Sequence, residues 1–303
     1  MAFFTTIDST SIDSALRSGG LGWEPRTEPL FTGTGDGVPS HVAILGQHDA
    51  QLDVIGSGHA VYGNRDMMED VFRLADATGT RPCGVNVLNR GADLLVHMPL
   101  KSFEIAGDRT DMYVTARDNR TGKRAFELAA LSYRLICENG MILTDKKGEI
   151  RNRHTSRFHD RLPGMFKAFQ NALEYANGVE DFSRRLAGWR MSDGYKLIET
   201  AHDQVISPRP KTEDTKKIMR WERAKLAFLE SVGEIYNSPT CQTAATKGTG
   251  FGYFNAITEW IDRPDNGRVK DRTAFRFTGE STGTRKKRDL MDLFESSLAL
   301  ASL

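Results

Sequence analysis

Cysteine is scarce: Cys83, Cys137 and Cys241 are three in 303 residues, odd in number and far apart. That spacing argues against a disulfide framework and for free thiols in a reducing compartment, so a cytoplasmic location is expected. No apolar run approaches the ~20 residues that span a bilayer, so no membrane segment is expected. The N-terminal stretch lacks a basic start and carries Asp8 and Asp13. It does not read as a signal peptide. Net charge is also nearly absent, at +1 from 41 basic and 40 acidic residues.

Motifs of catalysis are missing as well. Gly279–Arg285 (GESTGTR) has neither the glycine spacing nor the lysine of a phosphate-binding loop. Gly56-Ser57-Gly58 lacks the third glycine of a dinucleotide fingerprint. His154 and His159, five apart, fall on different helical faces with no cysteine near, so no metal is expected. Cys137 reads as a small core hydrophobe, and no Asp/Glu pair stands in an apolar frame that would raise a pKa. The expectation is a protein without cofactor or catalytic residues.

What is present is a pattern of elements. Residues 1–40 read as an irregular arm with a short helix at Ser11–Arg17, anchored by Trp23. Residues 41–155 read as a sheet-rich core. It holds two strands within 41–62 and a helix from Asn64 to Ala77, stopped by Gly79. Hairpin strands follow at 85–88 and 94–105, then alternating Met112, Val114 and Ala116, an Asp118–Lys123 turn, and the doubly apolar strand Phe126–Cys137. Residues 156–262 read as helical. Phe158, Leu162, Met165, Phe166, Phe169 and Leu173 share one face there, and separate helices follow at 180–190, 193–206 (capped by Ser192), 213–236 and 252–262. Residues 263–303 read as a basic tail ending in a helix at Leu290–Leu300. The fold class is therefore α+β, a central antiparallel sheet with a helical C-terminal half.

The small net charge hides an asymmetry. Residues 1–60 hold seven acids against Arg17 and Arg26, while residues 146–167 hold seven basic residues against Glu149 and Asp160. Residues 268–288 hold eight basic residues against two acids. Lys146, Lys147, Arg151, Arg153 and Arg157 run from a turn through a strand into a helix start, where Arg151 and Arg153 would share a strand face. Arg285, Lys286, Lys287 and Arg288 would sit in a mobile arm. These nine residues are the candidate nucleic-acid contacts. Tyr62, Tyr113, Tyr133 and Phe126 are placed as sheet packing rather than base-stacking platforms.

One stretch points to a family: Gly248-Thr249-Gly250-Phe251-Gly252-Tyr253-Phe254-Asn255-Ala256-Ile257-Thr258-Glu259-Trp260-Ile261-Asp262. With Leu21–Pro25 (LGWEP), Leu52–Asn64 (LDVIGSGHAVYGN) and Leu131–Asn139 (LSYRLICEN), it resembles the phage/plasmid-like protein family, a domain of unknown function of the family 932 type. It departs at Arg263, where that family often carries His. The resemblance implies a mobile-element context and no reaction. The hairpin sheet followed by a long helix is also similar in outline to the cores of phage single-strand annealing proteins. Together these lead to an expectation of single-stranded DNA binding or annealing by a homo-oligomer, ring or filament, without bond chemistry. The alternative is a phage or plasmid interaction protein that inhibits a host defence or replication protein.

Overall fold

The computed structural model describes residues 4–123, 126–134, 139–143, 150–152, 162–262 and 282–301. The chain divides into two units. The first comprises Met1–Lys101, Met112–Leu131 and Thr144–Ala176; the second comprises Ser102–Asp111, Ser132–Leu143 and Asn177–Leu303. Its class is α+β with antiparallel strands and the long helices in the C-terminal half.

The elements of the first half are β1 (Thr5–Thr6), α1 (Ile12–Ser18), β2 (Arg26–Phe31), β3 (Gly37–Leu45), β4 (Gln51–Gly56) and α2 (Asn64–Thr78). Then come β5 (Gly84–Leu88), β6 (Asp93–Ile105), β7 (Asp108–Asn119), β8 (Phe126–Arg134), β9 (Asn139–Leu143) and β10 (Ile150–Asn152). The large sheet runs β1-β5-β6-β7-β8-β10, with β9 also paired to β8, and β2-β3-β4 form a separate small sheet. The β5–β6 register aligns Val85 with Val96 and Leu88 with Asp93.

The first unit's core lies between that sheet and two helices. Met67, Met68, Val71, Leu74 and Ala75 of α2 meet Leu94, Val96, Met98, Val114, Ala116, Phe126 and Leu128. Met165, Ala168, Phe169 and Ala172 of α3 (Leu162–Gly188) close it. Burying each of the larger side chains among them contributes about 1.5–3 kcal/mol before entropy is charged, and each alanine less.

Several expectations needed correction. Residues 1–40 are not irregular, because β1 pairs with β5 and β2 pairs with β3. Nearly every side chain of β2 is exposed, so no apolar alternation announced it. The two helices expected across 156–190 are one, within the described residues, and Leu173 faces outward. Its buried stripe is instead Met165, Ala168, Phe169, Ala172, Ala176, Val179, Phe182 and Leu186, in which alanines replace the larger residues. Phe158 lies outside the described residues. Ser192 does not cap the next helix, α4 (Tyr195–Ala201); the Asp193 carboxylate accepts from Tyr195 N at 2.8 Å.

The second unit continues α4 into a π-turn (His202–Ile206), followed by α5 (Thr215–Tyr236), α6 (Gly250–Asp262) and α7 (Thr282–Ala301). Helix α6 is buried along almost its whole length. Phe254 packs edge-on between Phe182 and Phe294, and Trp260 meets Phe228 the same way.

Candidate nucleic-acid interface

Of the nine basic residues singled out, Lys146, Lys147, Arg153 and Arg157 lie outside the described residues, as do Cys137, His154 and His159. Arg151 lies on β10, in register with Glu127 of β8. Arg285, Lys286, Lys287 and Arg288 do not form a mobile arm: they occupy the first turns of α7. Helical geometry then separates them. Lys287 shares the inward face with Thr284 and Leu290, and its Nζ sits 2.6 Å from Asp262 Oδ1, with both side chains under 5% exposed. Lys286 and Arg288 are half-buried, and Arg285 faces solvent.

The sequence reading missed a basic surface on α5. From Arg209 to Lys225, both included, there are seven basic residues and three acids. Asp214 caps the helix by accepting from Lys216 N and Lys217 N at 3.0 and 3.3 Å. From there the spacing 216, 220, 223 places one lysine and two arginines on one face. Lys216, Lys217, Arg220 and Arg223 are all exposed, because the buried residues of α5 (Phe228, Leu229, Val232 and Ile235) belong to its second half. Arg220 and Arg223 have no carboxylate partner among the described residues.

Trp221 is the aromatic element of this surface. Its indole N–H donates to Ser207 O at 2.7 Å, which holds the half-buried ring in one orientation. Arg209 lies 5.9 Å and Lys225 5.3 Å from the ring centroid, within cation–π range. Lys225 is tied to Glu199 and Asp203 at 2.8 and 2.7 Å, and Asp203 also accepts from His202 Nδ1 at 2.9 Å. Those contacts hold Asp203 below its ordinary pKa in spite of burial, which acts against them as the largest cause. The signal was in the sequence as Lys216-Lys217-x-x-Arg220-Trp221-x-Arg223 at helical spacing, and the intervening acids masked it.

The Gly248–Asp262 signature has a structural reading of its own. A side chain at Gly252 would meet Thr246 O at 2.1 Å, and one at Gly250 would meet the Trp189 ring at 2.7 Å. Both glycines are needed for close approach. Thr249 Oγ1 accepts from Gly252 N at 3.2 Å at the start of α6. Gly250 N donates to Trp189 O, and Arg190 pairs with Thr249 in an isolated bridge. The signature thus fixes the Trp189–Arg190 turn. Asn255 Nδ2 donates to Phe251 O at 2.7 Å and Thr258 Oγ1 to Asn255 O at 3.0 Å, both buried.

The two N-terminal motifs converge as well. Glu24 accepts from Asn64 N and Arg65 N at 2.6 and 3.0 Å, capping α2 from forty residues away. Asn64, fully buried, donates to Leu21 O and Trp23 O and accepts from Arg120. Arg120, also fully buried, donates to Gly91 O at 2.6 Å and lies 5.2 Å from the Trp23 ring. The same ring packs on Gly91, whose φ of 98° and lack of a side chain both suit the turn. The turn expected at Asp118–Lys123 is present, closed by Gly122 N donating to Asn119 O at 3.2 Å, but Asp118, Asn119, Arg120 and Thr121 are buried in it. Burial pushes the Asp118 carboxyl up to about 7, with Arg120 and Arg117 opposing and Asp93 adding. A raised carboxylate was not expected from sequence, because the burial is made in three dimensions: Asp93 of β6 bears on Asp118, and the neighbouring Arg120 is held in turn by Asn64 and the Trp23 ring.

Tyr62, Phe126 and Tyr113 act as packing. Tyr62 meets Phe126 edge-on and donates to Asp70 at 2.6 Å, while Tyr113 meets Phe4 edge-on. Among the described residues no helix is long and apolar enough to cross a membrane.

Neither the curated proteins nor the solved structures include a match to this chain. The family model described as Domain of unknown function (DUF932) matches residues 51–291, which takes in α2, strands β5 to β10 and the Gly248–Asp262 signature but not β1 or the Trp23–Glu24 segment. The chain belongs to the DUF932 family.

Proposed function

We propose that this protein binds single-stranded nucleic acid and acts by holding strands for annealing, without making or breaking covalent bonds. The observation that carries the reading is the α5 surface, where exposed Lys216, Arg220 and Arg223 share a helical face beside the oriented Trp221. Spaced cations follow a phosphate backbone, and an aromatic ring stacks on any base, so this combination is tolerant of sequence. The α+β outline with a long helix after a hairpin sheet adds fold-level analogy only. Assembly into a homo-oligomer belongs to the same reading. β2 and β4 are the outer strands of the small sheet, and outer strands pair readily with another copy.

A protein partner is the second reading. It is favoured by Met219 and Leu226, apolar side chains exposed at 48% and 65% on α5. The test is a titration of fluorescent oligo-dT against wild type and Arg220→Glu with Arg223→Glu. Wild type should bind with log affinity falling against log salt at about −0.7 per phosphate engaged, and the double variant should lose about two such contacts from the slope. Its melting temperature should hold, because solvated charges contribute little to stability. Absence of binding at low salt by wild type would overturn the reading and leave the protein-partner reading.

A further inference from the structure

The turn that the family signature fixes opens onto a cavity. A recess of about 400 Å³ lies between the C-terminal end of α3 and the last turn of α7, lined by Gly188, Trp189, Arg190, Leu298 and Ala299. Its volume falls within the range of roughly 300–1,000 Å³ seen for small-ligand pockets. Its chemistry is two-sided. The Trp189 ring, half-buried, and Leu298 supply apolar surface. Arg190 supplies charge: it is exposed, it donates to Lys247 O at 3.3 Å, and no carboxylate pairs with it among the described residues. Arg185, the other cation at the recess, is held by Asp181 and Glu295 at 2.9 and 2.8 Å. One cation is therefore committed and one is available.

Trp189 is not placed by chance packing. Gly250 clears space for its ring, and its carbonyl accepts from Gly250 N at 2.9 Å. Thr249 pairs with Arg190 in an isolated antiparallel bridge. Two consecutive residues of the signature, Thr249 and Gly250, thus hold the backbone of Trp189 and Arg190 where both residues line the recess.

We propose that this recess binds one nucleotide, the base against Trp189 and the phosphate on Arg190. It rests on the single-strand reading only for where the nucleotide comes from, since a free mononucleotide and one unit of a strand present the same base and phosphate. Base–indole stacking and a guanidinium–phosphate contact each require the other to make the site selective.

Calorimetric titration of the full-length protein with dAMP, deoxyadenosine and deoxyribose 5-phosphate tests it. One dAMP should bind per chain, with the nucleoside and the sugar phosphate each weaker by about tenfold or more, the share carried by a stacked base or a charged contact. Arg190→Glu should weaken dAMP by a similar factor. Ala299→Trp, a change at an exposed position that fills the recess, should abolish dAMP binding with the melting temperature unchanged. The inference is overturned if wild type gives no dAMP signal at millimolar ligand, or if Ala299→Trp binds dAMP as wild type does. Oligo-dT binding in those circumstances would leave the α5 reading standing. Saturable dAMP binding by a protein that ignores oligo-dT would instead keep the recess and remove the strand.

Discussion

Arg120, at the end of β7, has none of its surface exposed, and its guanidinium is occupied by Gly91 O, Asn64 and the Trp23 ring. Arg220, on the first turns of α5, faces solvent with no carboxylate partner among the described residues. The two side chains are chemically identical. What separates them is desolvation. A buried cation must have its charge and its donors matched by fixed acceptors, so it becomes part of the fold, whereas an exposed one keeps water and stays exchangeable for a polyanion. Lys287 and Arg285, two residues apart on α7, repeat the contrast on one turn of helix, with Lys287 buried against Asp262 and Arg285 exposed. The number of cations in a run therefore does not say how many are available.

The sharpest way to break this comparison is to remove the buried arginine. Arg120→Met should destabilise the protein by about 3–5 kcal/mol, since it strands buried acceptors at Gly91 and Asn64. Urea unfolding would read it, and a loss under about 1 kcal/mol would mean that Arg120 is tolerated rather than required.

Next in size is Lys287→Met, expected to cost about 3 kcal/mol by leaving Asp262 buried without its cation. Adding Asp262→Leu should recover most of that loss, because an apolar pair of similar volume needs no desolvation. Arg285→Met should stay within about 0.5 kcal/mol in the same denaturation assay. If Arg285 and Lys287 behaved alike, the split along α7 would be refuted.

A pH-dependent effect is expected at Asp118, whose folded pKa is raised from 3.8 to about 7. Between those values the folded state holds a proton that the unfolded state has released. Stability from this group is therefore complete below about pH 4 and falls until about pH 7. Asp118→Asn should match wild type near pH 4 and exceed it at pH 8, as read from melting temperatures across that range. A variant less stable than wild type at pH 8 would show that the ionised carboxylate is favoured, through Arg117 and Arg120.

The smallest change should come from the exposed apolar side chains. Leu226→Ser should leave stability within about 0.5 kcal/mol. A reduced oligomer size by light scattering for this variant would favour a protein contact on α5 over a free nucleic-acid face.

Much of the fold was legible because its periods are strong. Met68, Val71 and Ala75 mark α2, Gly79 stops it, and Met112, Val114 and Ala116 mark β7. β2 was not legible, because its pairing is made by backbone while its side chains face solvent. The continuous helix through Gly178 was misread for a similar reason: alanines carry its buried stripe, and alanine has little weight in an apolar pattern. Of the candidate site, the glycines of the signature read as places of close backbone approach, which they are, but what approaches them could not be named. Gly250 has meaning only once Trp189, sixty-one residues earlier, lies against it.

The sequence alone determined the family resemblance, the α+β class, the positions of most periodic elements and the presence of separate basic clusters. These depend on local order, either on spacing along one element or on a contiguous run of residues. Tertiary structure alone decided which cations are buried, which carboxylate is raised and which motif residues meet. Each of these depends on desolvation by residues distant in the chain: Glu24 at the start of α2, Asp262 beneath Lys287, and the α2, β6 and Trp23 segments around Asp118 and Arg120. Burial is a property of the assembled chain, and no local pattern of charge encodes it.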